Sequence, residues 1–102
     1  MKTKEWIDDL LGCPSQCYYY FETSSGRKMC IYLRWRYSDP WTASLVEFPT
    51  VDWDWDKTNW STIELSRDYK EEELDQLKHE ALRTTINLFR LDRIKKKGEL
   101  NL

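Results

Sequence analysis

The stretch Lys28-Met29-Cys30-Ile31-Tyr32-Leu33-Arg34-Trp35-Arg36-Tyr37 decides the fold. Met29, Ile31, Leu33, Trp35 and Tyr37 alternate with Lys28, Cys30, Tyr32, Arg34 and Arg36. A side-chain period of two sustained over this length predicts a β-strand with one face on the core and one toward solvent. Upstream, Ser24-Ser25-Gly26 is a turn signal, and the aromatic run from Cys17 to Thr23 reads as the preceding strand. Downstream, Ser38-Asp39-Pro40 turns the chain into a third strand over Thr42 to Phe48, stopped by Pro49. Trp60 to Leu65 is placed to pair back as a fourth. Between them, Val51-Asp52-Trp53-Asp54-Trp55-Asp56 alternates apolar and acidic residues and suits either a short strand or an extended loop.

Helices are expected at both ends. Trp6, Ile7, Leu10 and Leu11 fall at helical spacing, so a short helix is predicted over Lys4 to Leu11, capped by Thr3 and ended by Gly12 and Pro14. A long helix is predicted over Tyr69 to Lys96. Asp68 and Glu71 form a capping-box pattern at its start, Lys95, Lys96 and Lys97 suit its negative end, and Gly98 reads as its stop. Leu74, Leu77, Ala81, Leu88 and Leu91 share one face, widened by Leu82, Ile86 and Phe89. The expectation is a single α+β domain: a small antiparallel three- to four-stranded β-meander with a short N-terminal helix and a long C-terminal helix packed on one face.

A chain of 102 residues holds one core, not two. No apolar run approaches the length of a membrane helix, and charges interrupt the first eleven residues, so no signal peptide is expected. Three cysteines (Cys13, Cys17 and Cys30) are an odd number, which points to reduced thiols and a cytoplasmic setting. With His79 they formally make a Cys₃His zinc set, but no second paired motif follows the Cys13–Cys17 pair, so no metal is expected.

Charge is segregated. Residues 47–75 carry ten acidic and three basic residues, a net of −7, within a chain whose overall net charge is −2. That overall balance excludes a polycation that grips nucleic acid by charge alone. The acidic block also holds Trp53, Trp55 and Trp60. Rings supply apolar contact area and carboxylates supply orientation and on-rate against a basic partner. Two readings of Trp53 and Trp55 stand at this point: rings offered to a partner, or rings turned into the core with the aspartates as a solvated face.

Chemistry is poorly supported. Asp52-Trp-Asp54-Trp-Asp56 is similar to the opening of an EF-hand loop, but Lys57 stands where glycine is required and Ile63 where the closing glutamate belongs. His79 lies between Lys78 and Glu80 in a charged helical stretch. No glycine-rich phosphate loop and no nucleophile elbow occurs. The helix-terminal cluster of Arg90, Arg93 and Lys95 to Lys97 is explained by dipole complementarity and solubility.

A second candidate is the polar face of the sheet, where Tyr18 and Tyr20 are expected beside Tyr32, Arg34 and Arg36. Tyrosines interleaved with arginines suit a base-stacking platform or a protein-binding hot spot. The expected α-β-β-β-α order resembles the double-stranded-RNA-binding domain in outline. That family grips phosphates with basic residues at the start of its last helix, where this chain has Asp68, Glu71, Glu72, Glu73 and Asp75, so its activity is not carried over.

The reading that follows is a small non-enzymatic binding protein without cofactor, an inhibitor or adaptor. It would occupy a basic, nucleic-acid-binding site on a larger protein such as a nuclease. The residues expected to do so are Asp52, Trp53, Asp54, Trp55, Asp56, Trp60, Glu64, Glu71, Glu72 and Asp75. Phage- or plasmid-borne anti-defence inhibitors, of anti-CRISPR or anti-restriction type, share this size and charge and act in the host cytoplasm. The alternative is single-stranded nucleic-acid binding through Tyr18, Tyr20, Tyr32, Arg34 and Arg36. A homodimer is also expected, because the last helix has more apolar width than a small sheet needs.

Overall fold

The computed structural model describes residues 5–37, 39–49 and 51–100, with side chains up to residue 90. Five strands form one antiparallel sheet in simple sequence order: β1 (Ile7–Asp9), β2 (Ser15–Glu22), β3 (Lys28–Trp35), β4 (Thr42–Phe48) and β5 (Asn59–Thr62). One 3-10 turn at Glu71–Glu73 then leads into helix α1 (Leu74–Leu100). The α+β meander with a long C-terminal helix therefore forms. Its strand count is five, and its first element is not a helix.

Register follows from the alternation in β3. Ile31 lies opposite Tyr19 and Leu45, while Cys30 lies opposite Tyr20 and Val46. The β2–β3 hairpin closes at Thr23, whose carbonyl accepts from Gly26 N–H at 2.9 Å. Gly26 has φ +87°, a left-handed conformation that glycine adopts without steric cost.

One face of the sheet packs on α1. Cys17, Ile31, Leu33, Trp41, Ala43, Ile63, Tyr69, Leu77 and Ala81 form a single buried cluster. Along α1 the buried stripe is Leu77, Ala81 and Thr85, at 0, 0 and 2% exposure. Thr85 satisfies its hydroxyl by donating to the Ala81 carbonyl at 2.9 Å. Leu88 lies at nearly the same angle around the helix as Leu77, yet it is 46% exposed. Phe89, one residue further on, packs on Phe21 at 5.8 Å. Ile86, expected to widen the stripe, is exposed on the flank.

The N-terminal segment corrects the expected helix. The extended chain here sends Trp6, just before β1, and Asp8 to the helix side: Trp6 packs on Tyr19 at 5.2 Å, and Asp8 accepts from Lys78 Nζ at 2.7 Å. Ile7, paired with Tyr18, goes to the other face. A local helix would have satisfied its own backbone but left the edge of β2 open; tertiary pairing outweighs a weak local preference. The proposed Thr3 cap and Lys4 lie outside the described residues.

Two details at α1 also differ. The cap is Lys70, whose N–H donates to Glu73 Oε1 at 2.8 Å, rather than the Asp68–Glu71 pair. The helix continues through Gly98 to Leu100. Its N-terminal half is tied to the strand layer by Glu80, which accepts from Ser66 N–H at 2.7 Å, from Ser66 Oγ at 2.9 Å and from Tyr69 Oη.

The hydrogen bond from Tyr69, aided by the Ser66 donors, holds the Glu80 carboxyl below the ordinary glutamate value. A depressed carboxylate contributes stability above its unfolded pKa and loses it as pH falls through the folded value. Urea midpoints should therefore decline as the pH drops below the ordinary glutamate range, and Glu80→Gln should make that decline shallower. Thiol chemistry gives a second check. Burial pushes Cys30 up to about 12, and burial assisted by Asp8 does the same for Cys17, whereas Cys13 is exposed. Brief iodoacetamide treatment of the native protein should modify Cys13, with Cys17 and Cys30 reacting only after unfolding, as read by mass spectrometry.

Candidate binding face

The face of the sheet turned away from α1 is not a bare polar surface. Cys30, Val46 and Phe48 on it are buried at 0, 0 and 2% exposure, flanked by Tyr18, Tyr20 and Tyr32. The cover is the segment after β4. Val51 to Asp54 crosses the sheet without forming a strand, and Trp55–Lys57 makes one 3-10 turn. Asp54 caps that turn by accepting from Asp56 N–H at 3.0 Å.

Trp55 is the hub. Its ring lies 5.0 Å from Phe48, 5.9 Å from Tyr18, 6.0 Å from Trp60, 6.1 Å from Tyr20 and 6.4 Å from Tyr32. The contacts to Phe48, Tyr18, Tyr20 and Tyr32 are edge-on, the arrangement that ring quadrupoles favour. Trp53 packs edge-on against Tyr20 at 5.4 Å and Phe48 at 5.1 Å. Trp60, on β5, meets Tyr32 at 5.4 Å. All three tryptophans remain partly open, at 41, 37 and 51% exposure for Trp53, Trp55 and Trp60. The rings are therefore neither buried in the core nor clear of the sheet: part of each ring packs on the sheet and the rest meets solvent.

The Trp/Asp part of the first candidate site and the tyrosines of the second therefore share one surface. The Trp/Asp segment lies directly on the tyrosine face. Asp52 and Asp56 are exposed along it, and Asp54 is half-buried by its capping role. Tyr32 donates its hydroxyl to Gln16 Oε1 at 2.6 Å. Burial raises the phenols of Tyr18, Tyr20 and Tyr32 above their ordinary value, so these rings stay neutral at physiological pH. Arg34 and Arg36 are exposed at the far end of β3 and just beyond it. At the near end, Lys28 Nζ sits 5.3 Å from the centre of the Trp53 ring and donates to Glu22 at 2.7 Å.

The remaining acids are not brought to this face. Glu71 and Glu72 sit on the 3-10 turn before α1, where they line a cleft of about 470 Å³ with Trp35, Pro40 and Tyr69. Asp75 lines a neighbouring groove with His79 and Arg83. Their position in the first turn of the helical segment has its own electrostatic reason, the positive end of the macrodipole. Glu64 is exposed just past the end of β5. Glu47, counted in the acidic block, is engaged by Arg27 through two bonds at 2.8 and 2.9 Å on the helix side.

Phe48 and Val46 were missed as site residues. Their i, i+2 spacing in β4, read against the register with Cys30, was the signal that could have found them. The zinc set does not assemble: Cys17 lies on the helix side, Cys30 on the aromatic side, and no cluster of three metal-ligating residues occurs among the described residues. No helix among those residues is long and apolar enough to cross a membrane.

Comparison with family models, with curated proteins and with solved structures finds no match to this chain.

The hub position makes a ranking. Trp55→Ala, which removes five ring contacts, should cost about 2–3 kcal/mol, against about 1 kcal/mol for the more exposed Trp60→Ala, measured by urea unfolding. Equal costs would show that Trp55 does not seal the face.

Proposed function

We propose that this chain is a small binding protein, an inhibitor or adaptor without catalytic activity, which presses its aromatic face against a basic site on a larger protein. The observation that carries this reading is the set of three half-open tryptophans laid over the tyrosine face, with aspartates alternating between them. Half-exposed aromatic rings held rigid by packing bring large contact area with little entropy to lose, which is the composition of a binding hot spot. Asp52, Asp54 and Asp56 beside them favour a cationic partner and disfavour phosphate. A nucleic-acid-binding groove on another protein has the required charge, and the carboxylates would stand where phosphates otherwise lie. The odd cysteine count supports a cytoplasmic place of action.

Tryptophan fluorescence offers a direct test. Titration with an arginine-rich peptide at low salt should quench or shift the emission, and the response should weaken as salt rises. Asp52→Asn, Asp54→Asn and Asp56→Asn combined keep a cap acceptor at position 54 and should weaken binding about tenfold, the size of effect expected from removing several rim charges. Unchanged peptide binding in that variant would remove the acidic rim from the mechanism. Tighter binding of single-stranded DNA than of the peptide would shift the reading to the base-stacking alternative.

A further inference from the structure

β5 is the last strand of the sheet, and among the described residues no backbone pairs with its outer edge. The direction in which its backbone groups point follows from one hydrogen bond. Ile63 N–H donates to the Ala43 carbonyl at 2.9 Å, and this pair continues the β4–β5 register in which Thr62 faces Ser44 and Trp60 faces Val46. Directly opposed residues in an antiparallel ladder alternate between hydrogen-bonded and non-hydrogen-bonded pairs. Ile63, Ser61 and Asn59 therefore turn their N–H and C=O groups to β4. Trp60 and Thr62 turn theirs away from the sheet, a donor and an acceptor from each, and every residue of β5 is exposed.

Natural edge strands are commonly guarded by proline, by lysine or by a covering element. β5 (Asn-Trp-Ser-Thr) has no proline and no charge. β1, at the opposite edge, is three residues long, and its Asp8 is tied to α1 by Lys78. The β5 edge also adjoins the aromatic face: Trp60 belongs to both, with its ring on Tyr32 and Trp55. Acidic residues bracket it, Asp56 before the strand and Glu64 after it, and both are exposed.

We infer that the partner enters as an extended basic segment that adds a sixth strand alongside β5. This deepens the proposed function and rests on it for the basic character of the partner. The main chain of the segment pairs with the outward groups of Trp60 and Thr62. Its alternate side chains rise on the aromatic face, where a guanidinium or ammonium can lie against Trp60 and Trp55 beside Asp56. Lys28 over Trp53 is the same contact already made within the chain. Backbone pairing supplies affinity, and the rings and carboxylates select cationic side chains.

The test uses the full chain and a short capped peptide alternating arginine with threonine. Thr62→Pro removes an outward N–H and no bond to β4, so the fold should persist, as checked by near-ultraviolet circular dichroism. Peptide binding should fall about tenfold in this variant, the loss expected for an edge that can no longer pair. In the wild-type protein, amide exchange at Trp60 and Thr62 should slow on peptide addition, a readout that does not depend on the variant folding. Unchanged exchange at these two amides overturns the inference, as does undiminished binding by a folded Thr62→Pro. Equal binding of a peptide with glutamine in place of arginine overturns the basic class. Self-association of the protein alone that Thr62→Pro abolishes assigns the edge to a second copy instead. If the aspartate-to-asparagine variant binds weakly while Thr62→Pro binds normally, the basic-partner reading stands and the added strand falls; the reverse pattern removes the acidic rim and leaves the strand.

Discussion

A five-stranded sheet has two faces, and a single helix can keep water from only one of them. Everything distinctive about this molecule follows from how the second face is sealed. Cys30, Val46 and Phe48 lie on it by the parity of their strands, and no second helix exists among the described residues to cover them. The seal is a loop carrying Trp53 and Trp55, with Trp60 on the adjoining strand. Each edge-to-face aromatic pair contributes roughly 0.5–1.5 kcal/mol beyond the area it buries. Trp55 makes several such contacts at once, and they anchor a segment that has one short 3-10 turn and no strand.

That solution leaves a chemical residue on the surface. A helix covering a sheet hides its apolar stripe, but a loop one ring thick hides only one edge of each ring. The uncovered parts are exposed apolar area, and the aspartates interleaved with the tryptophans keep this area solvated. The same alternation that makes the cover soluble makes it suited to contact with a cation. Five of the other acids of the −7 segment have separate duties. Glu47 is engaged by Arg27, Glu73 takes part in the helix cap, and Glu71, Glu72 and Asp75 sit where the helix dipole favours negative charge. Net charge by segment therefore overstates the field at any one place on the surface.

Much of the fold was legible from local pattern. β3 and β4 were readable because period-two alternation and Pro49 are local signals, and the long helix because its apolar spacing persists over many turns. β1 was not, because Trp6, Ile7, Leu10 and Leu11 satisfy helical spacing equally well. The decision lay with β2, whose edge needed a partner, and with Lys78, a distant residue that meets both Trp6 and Asp8. Leu88 shows the same limit on α1: its angular position is right for burial, but spacing says nothing about what packs against that turn.

By itself, the sequence determined an antiparallel meander, a long terminal helix, an acidic middle and a tyrosine-bearing strand face, because each depends on neighbours a few residues apart. Only the tertiary structure decided that the tryptophan segment lies on the tyrosines, so that parts of two candidate sites meet. It also decided that Glu71, Glu72 and Asp75 belong to another surface, and that Trp60 and Thr62 lie on an edge strand. Those outcomes depend on strand register and on which face a loop crosses. Both are set by the competition to bury apolar area across the whole chain, which no local pattern encodes.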